Sequence, residues 1–256
     1  MFSIAFSKVY YSKIEPYEIR NISSNISGLI LAIDEESIGK ELTDKAYIRI
    51  DSELDEKELQ FLNDKLNYLE AMVATNEKVF VNLKDTLSKK QGNYDTIKSL
   101  KIKSIVEKDN SFYDLVSTQN QLLNTQKEIQ NLRVQMIDLK FRITQLKRNI
   151  SDKYIVADGF VLYNIFVRAG QVVGLATPLA QVADISKAKL TIYLDEEDVL
   201  NAEKQVVYID GEKTAYKVSR LLNIADSKNI SKYMAQIIIQ SPKLFSKLAK
   251  IELKNE

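Results

Sequence analysis

The stretch ELQFLNDKLNYLEAMVATNEKVFVNLKDTL, residues 58–87, decides the fold. Its apolar residues fall at Leu59, Leu62, Leu66, Leu69, Val73, Phe80, Leu83 and Leu87, in alternating steps of three and four that Asn76 alone interrupts. Such steps keep one stripe on one side of an α-helix, and a seven-residue repeat sets that stripe against a second helix. A second seam runs through Leu115, Leu122, Ile129, Leu132, Met136, Leu139, Ile143, Leu146 and Ile150, with Thr118 and Thr125 in its polar slots. Two long helices adjacent in sequence pack antiparallel as a hairpin. The midpoint of residues 52–151 places the tip near Lys101 and Ile102. Each arm then has about 48 residues and runs roughly 70 Å. Gly92 is expected to weaken the first arm and to mark a bend below the tip.

The residues that punctuate helices agree. The chain has 256 residues but only seven Gly and three Pro. Average usage is roughly 12 % for the two together. Between Lys40 and Asp158 there is no Pro, and Gly92 is the one Gly. Five of the seven glycines lie in 1–51 or 151–184, on either side of the gap.

Composition removes several kinds of function. There is no Cys, hence no disulfide, thiol nucleophile or thiolate metal site. There is no His, the usual general base and zinc ligand. A net charge of +1 argues against a nucleic-acid surface, which needs a basic excess. No nucleophile–base pair, P-loop or dinucleotide glycine fingerprint is present, so no enzyme activity, metal or cofactor is expected.

On both sides of the seams the period changes to that of strands. Residues 8–51 carry Ile19, Ile22, Ile26, Leu29, Ile30, Leu31, Ile33, Ile48 and Ile50. Beyond Ser151 come Val156–Leu162, Val167–Gly174 and Pro178–Asp184. From Lys189 onward the chain alternates at Leu190, Ile192, Leu194, Val206, Tyr208, Ile237 and Ile239, with Asp210-Gly211 as a hairpin-turn signal. Asp195–Asp198 reads as the start of a short helix or a solvated turn. Gly159, Gly170 and Gly174 are expected at positive φ. No apolar run reaches the ~18–20 residues of a membrane helix. The first seven residues are apolar, and Ala5-Phe6-Ser7 fits a signal-peptide cleavage pattern, so residues 1–7 read as a signal remnant or as a plain strand.

The β segments that frame the seams carry a resemblance. Asp158-Gly159-Phe160-Val161, then Val167, Gly170, Val173, Gly174, Pro178-Leu179, Val182 and Asp184, resemble the second half of a lipoyl or biotinyl domain. Ser27-Gly28-Leu29-Ile30, then Gly39, Leu42, Ile48 and Ile50-Asp51, resemble its first half, with Lys45 where the second glycine would stand. Two half-motifs split by a heptad hairpin and followed by a small β domain resemble the HlyD-type membrane fusion proteins. These are the periplasmic adaptors of tripartite efflux pumps and type I secretion systems. The resemblance spans roughly residues 15–254.

It implies an α+β fold: a long antiparallel coiled-coil hairpin inserted into a split lipoyl-like β domain, followed by a small barrel-like β domain. The implied segments are 1–18, 19–51, 52–151, 152–185 and 186–256. Such proteins bridge an inner-membrane transporter and an outer-membrane channel as homo-oligomers, usually of six copies. They are periplasmic and peripheral to the membrane, without bond chemistry. Many carry an Arg-x3-Leu-x6-Ser pattern at the hairpin tip that meets the channel. Here Leu100 takes the leucine position, Thr96 the arginine position and Glu107 the serine position. Lys98, Lys101 and Lys103 make the tip basic, and these six residues form the expected contact with the channel.

Two other readings stand beside this one. Asp44-Lys45-Ala46 matches the lipoate-bearing triplet of carrier domains, which would make the chain a carrier with a helical insertion. Register opposes it: Lys45 precedes Ile48-x-Ile50-Asp51, whereas the carrier lysine follows that strand. A coiled-coil scaffold with no transport role would not need the matched half-motifs. The chain also shows no N-terminal membrane helix and stops at Glu256. In family terms this favours a transporter-associated adaptor without a full membrane-proximal domain.

Overall fold

The computed structural model describes residues 8–225 and 231–255; the possible signal remnant at residues 1–7 lies outside them. Strands β1 (Val9–Lys13), β2 (Glu15–Ser23), β3 (Gly28–Ile33) and β4 (Ile48–Ile50) lead into helices α1 (Glu53–Ser99) and α2 (Ile105–Asp152). There follow β5 (Tyr154–Ile155), β6 (Val161–Ile165), β7 (Val172–Val173) and β8 (Pro178–Leu194). The chain continues with α3 (Glu196–Val199), β9 (Val206–Ile209), β10 (Glu212–Lys213), β11 (Val218–Ala225), β12 (Tyr233–Gln240) and β13 (Leu248–Lys254). Two compact units result: Asp51–Lys153, and the segments on either side of it together.

In the helical unit the seam is the core. Leu69, Leu132, Leu139 and Ile143 are buried, with Leu59, Leu62, Leu66, Val73 and Met136 packed against them. Thr118, in a polar slot of the seam, is also buried, and its hydroxyl donates to the Asp114 carbonyl at 3.0 Å. Ion pairs tie the arms across the seam, among them Arg133–Glu77 at 2.8 Å and Lys140–Glu70 at 3.7 Å. Where the arms meet the rest of the chain, Asp51 caps α1 by accepting from the Glu53 N–H at 3.1 Å. Lys153, largely buried, pairs with Asp55 there. The bend expected at Gly92 is absent, since α1 runs unbroken through it. The i→i−4 ladder and the seam on both sides hold this glycine helical, and a Cβ there would meet open space. Gly92→Ala is therefore expected to stabilise the hairpin by about 0.5–1 kcal/mol, read by thermal unfolding of the helical signal.

In the β unit, one core is built from both sides of the hairpin. Ile30, Leu42, Tyr47, Ile48 and Ile50 precede the hairpin, while Leu162, Ile165, Val167, Val173, Leu179 and Val182 follow it. Backbone bonds stitch the same halves: Gly39 N–H to the Leu162 carbonyl at 2.8 Å, Leu42 N–H to Phe160 at 2.7 Å and Gly170 N–H to Ile30 at 2.8 Å. β4 and β5, the strands on either side of the hairpin, pair antiparallel through Ile48–Ile155 and Arg49–Tyr154. The polypeptide thus leaves and re-enters the β unit on adjacent strands.

A second core gathers Ile14, Leu190, Ile192, Leu194, Val207, Ala235, Ile237 and Ile251. Strand alternation places Leu190, Ile192 and Leu194 on one face of β8 and Ala235 and Ile237 on one face of β12, and the two strands pair from Tyr233–Leu194 to Gln240–Lys187. β8 also pairs with β2 and β6, so this single strand contributes to both cores, and the boundary expected after residue 185 falls inside it. β1 pairs with β13, which brings the first described strand to the last. Asp210 (φ 51°) and Gly211 (φ 90°) form the expected two-residue turn between β9 and β10. Gly159 and Gly170 have positive φ as expected, but Gly174 does not. In its turn the left-handed position is two residues on, at Ala176 (φ 62°). Gly174 instead lies where a Cβ would stand 3.9 Å from the Ser27 hydroxyl. Lys45 sits exposed in the loop before β4, in the register that sets it apart from a carrier lysine.

Candidate functional site

The hairpin turns over between Leu100 and Ser104. Leu100 leaves α1 with extended backbone (φ −76°, ψ 123°), its N–H still reaching the Ile97 carbonyl at 3.2 Å. α2 starts on a capping box, which satisfies two helix-terminal donors reciprocally. The Glu107 N–H donates to the Ser104 hydroxyl at 3.2 Å, and the Ser104 N–H donates back to the Glu107 carboxylate at 3.0 Å. Lys103 Nζ adds a bond to the same carboxylate at 2.8 Å.

These donors, Lys103 first and then the Ser104 N–H and hydroxyl, hold the Glu107 carboxyl down at about 2. A depressed carboxyl stabilises the fold above its unfolded-state value, and the contribution is lost only as pH falls through the folded one. The tip cap is therefore expected to persist at pH 4. An NMR titration of the Glu107 side chain should show it ionised there, while unpaired surface carboxylates are already taking up protons.

The expected contact residues divide by role. Thr96 is engaged with its own helix, its hydroxyl donating to the Gly92 carbonyl at 2.9 Å. Lys98 lies over the Tyr94 ring, 5.7 Å from its centroid. Lys103 and Glu107 are paired with each other inside the cap. Leu100 and Lys101 are exposed in the turn itself. The structure thus gathers Leu100, Lys101, Lys103 and Glu107 at the turn and leaves Thr96 a helical turn below.

The most exposed apolar side chains of the tip are not among those six. Ile102 is 85 % exposed, Ile105 77 % and Val106 67 %. A signal for them exists in the sequence. Extending the seam by its own steps reaches Tyr94 and Ile97 on one arm and Lys108 and Ser111 on the other, all partly covered. Ile102, Ile105 and Val106 fall off that seam, so no intramolecular partner covers them. Just below, Tyr94 and Phe112 close the arms with ring centroids 5.6 Å apart. The tip is a rigidly capped turn presenting apolar side chains among lysines. Such a surface suits a dry contact with another macromolecule.

Elsewhere, charged clusters are consumed within the fold. In the acidic run, Asp195 pairs with Lys232 at 2.6 Å and Asp198 with Lys8 at 3.1 Å. The Tyr10 hydroxyl donates to Asp198 at 2.5 Å, and burial together with that carboxylate pushes the phenol up. Among the described residues no His, Cys, Asp or Glu cluster could hold a metal ion, and no helix is long and apolar enough to cross a membrane.

No protein-family profile and no curated protein sequence matches the chain. Solved structures do. MacA from Actinobacillus actinomycetemcomitans superposes with a TM-score of 0.61 at 19 % identity, over 96 % of this chain and 78 % of that one. The membrane fusion protein Spr0693 from Streptococcus pneumoniae gives 0.52 at 11 % identity, over 98 % of this chain and 100 % of that one. The chain has the membrane fusion protein fold. A MacA–MexA chimera carrying the Pseudomonas aeruginosa MexA α-hairpin domain matches as well, with a TM-score of 0.55 at 15 % identity over 99 % of this chain and 83 % of that one. In that chimera the α-hairpin is a domain of its own, which in the present fold corresponds to Asp51–Lys153. In a membrane fusion protein fold the tip described above is the far end of that hairpin.

Proposed function

We propose that this chain is a periplasmic adaptor that bridges an inner-membrane transporter and an outer-membrane channel, as an oligomer and without enzymatic chemistry. The observation that carries the reading is the hairpin's construction. An arm of 47 residues, roughly 70 Å at 1.5 Å per residue, interrupts a β domain whose two halves close around its insertion point. Such an arm suits a protein that must span distance. The tip supports the docking role: Leu100, Ile102, Ile105 and Val106 are exposed, Lys98 and Lys101 lie beside them, and a capping box fixes the turn. Thr96, Lys103 and Glu107 support the tip's shape, and contact with the channel falls to Leu100, Lys98, Lys101 and the three apolar residues.

The test places a photo-crosslinking residue at Ile102 in cells that express the chain together with an inner-membrane transporter and an outer-membrane channel from the same source. Crosslinks to the channel are expected. They should be lost, together with export, in a Leu100→Asp, Lys101→Glu double variant whose helical signal is unchanged. Undiminished export and crosslinking in that variant would remove the tip from the docking surface. Failure to co-purify with either membrane partner would remove the adaptor role itself.

A further inference from the structure

The outer face of the β8–β12 ladder carries a cleft that the adaptor reading does not use. Ala188, Leu190, Ala235 and Ile237 turn into the second core, so strand alternation turns Lys189, Gln236 and Ile238 outward. The two strands that flank this ladder are both bulged beside it. On β2 the pairing to β8 shifts register between Pro16 and Glu18, and on β11 the pairing to β12 shifts between Val218 and Arg220. Tyr17 and Ser219 are the residues inside those two shifts. A bulge bends its strand and re-aims a side chain, and bulges are over-represented beside functional sites. Here both serve one place. From opposite edges of the four-strand order β11-β12-β8-β2, Ser219 and Tyr17 line a cleft of about 410 Å3 that Lys189, Arg220, Gln236 and Ile238 complete.

The cleft is cationic. Among the described residues, no carboxylate lies within ion-pair distance of Lys189 or Arg220. Glu15, the cross-strand neighbour of Lys189 on β2, makes no ion pair with it. Like charges set close on one face of a sheet repel, so this pair lacks a counter-charge. One acid, Glu18, also lines the cleft, but Arg20 holds both its oxygens, through Nε and Nη2 at 2.8 Å each. Arg20 first, and Lys189 more weakly, draw that carboxyl below its ordinary value, which sets the Lys189 charge beside the cleft. The Ser219 hydroxyl accepts from the Ile238 N–H at 3.4 Å and so ties the β11 bulge to β12.

We propose that this cleft binds a phosphate monoester carried on an apolar body. The Arg220 fork and the Lys189 ammonium meet the phosphate oxygens, and the Gln236 amide donates a further bond. The donor set selects phosphate. Three terminal oxygens with a near-double charge use two cations and an amide, whereas a carboxylate brings two oxygens and one charge. The apolar body lies against Tyr17 and Ile238, contacts that inorganic phosphate cannot make. The inference is independent of the adaptor reading, since it uses no residue of the hairpin.

Phenyl phosphate, dihexanoyl phosphatidic acid and inorganic phosphate are each titrated at millimolar concentration into the full chain, followed by amide resonances. Shifts should centre on Lys189, Ser219, Arg220 and Gln236, and the better of the two esters should bind about tenfold tighter than inorganic phosphate. Tighter binding of the phosphatidic acid supports the site with a lipid as its source, and tighter binding of phenyl phosphate supports it with a soluble ester. Lys189→Gln and Arg220→Gln should each weaken the ester about tenfold in a chain whose thermal unfolding is unchanged. Lys213→Gln, which removes the same charge from β10, should leave binding as it was. Equal losses in all three variants would reduce the effect to net charge and overturn the site, as would the absence of shifts around the cleft with every ligand. Inorganic phosphate binding as tightly as both esters would overturn the role given to Tyr17 and Ile238.

Discussion

Replacing residues 51–153 with a short Asn-Gly turn is expected to leave a folded β unit that unfolds cooperatively and has lost nearly all helical circular dichroism. The ends to be joined are already antiparallel neighbours, through Ile48–Ile155 and Arg49–Tyr154, which is the geometry a short hairpin loop spans. The core beneath draws on side chains that never leave this unit. The complementary expectation is as large. A fragment ending at Ile50, or one starting at Tyr154, should not fold its lipoyl-like half. Each would expose residues such as Ile48 or Leu162 that are fully buried in the whole chain. Dispersion of amide resonances and a thermal transition in the shortened chain check the first claim. An unfolded spectrum would show that the hairpin is needed to hold the two halves together.

Leu132→Asp is expected to cost the hairpin about 3–5 kcal/mol, because an ionised carboxyl would be placed in the seam without a partner. Leu132 is 2 % exposed and packs among Leu69, Leu139 and Ile143. Burial disfavours the charged form and raises the carboxyl's pKa, so the loss should shrink as pH falls and the group takes up a proton. Ile137→Asp, five residues along the same helix but 66 % exposed, should change stability by only about 0.5 kcal/mol. Urea unfolding followed by the helical signal, at neutral pH and near pH 4, separates the two. Equal losses in both variants would mean that the seam is not where the heptad pattern puts it.

The same two leucine seams explain why so much of the architecture could be read in advance. Period is a local property: Leu59 to Leu87 and Leu115 to Ile150 announce helices without knowledge of anything distant, and their symmetry places the turn. The type of turn after β9 was legible for the same reason, since Asp210-Gly211 is a pair that accepts positive φ at both residues. Gly92 and Gly174 were misleading because a glycine permits a conformation without requiring it. At Gly92 the surrounding helix imposes its own geometry, and near Gly174 the turn places its left-handed residue at Ala176.

The candidate site was legible in part. The midpoint of the seams led to Leu100 and Lys101, which lie exposed in the turn, and the resemblance added Thr96 and Glu107 as expected contacts. In the structure their side chains are occupied by the Gly92 carbonyl and the capping box. Ile102, Ile105 and Val106 went unmarked because the seam was not extended to the turn; continued by its own steps, it leaves all three off the stripe that the opposite arm covers.

By itself, then, the sequence determined the helical hairpin, its length and tip, and the strand character of its flanks, because each is written in short-range periodicity. Tertiary structure alone decided that β8 serves two cores and that β1 closes on β13. Those outcomes depend on pairings between segments far apart in the chain, whose registers are set by the burial of both partners at once and are specified by neither alone.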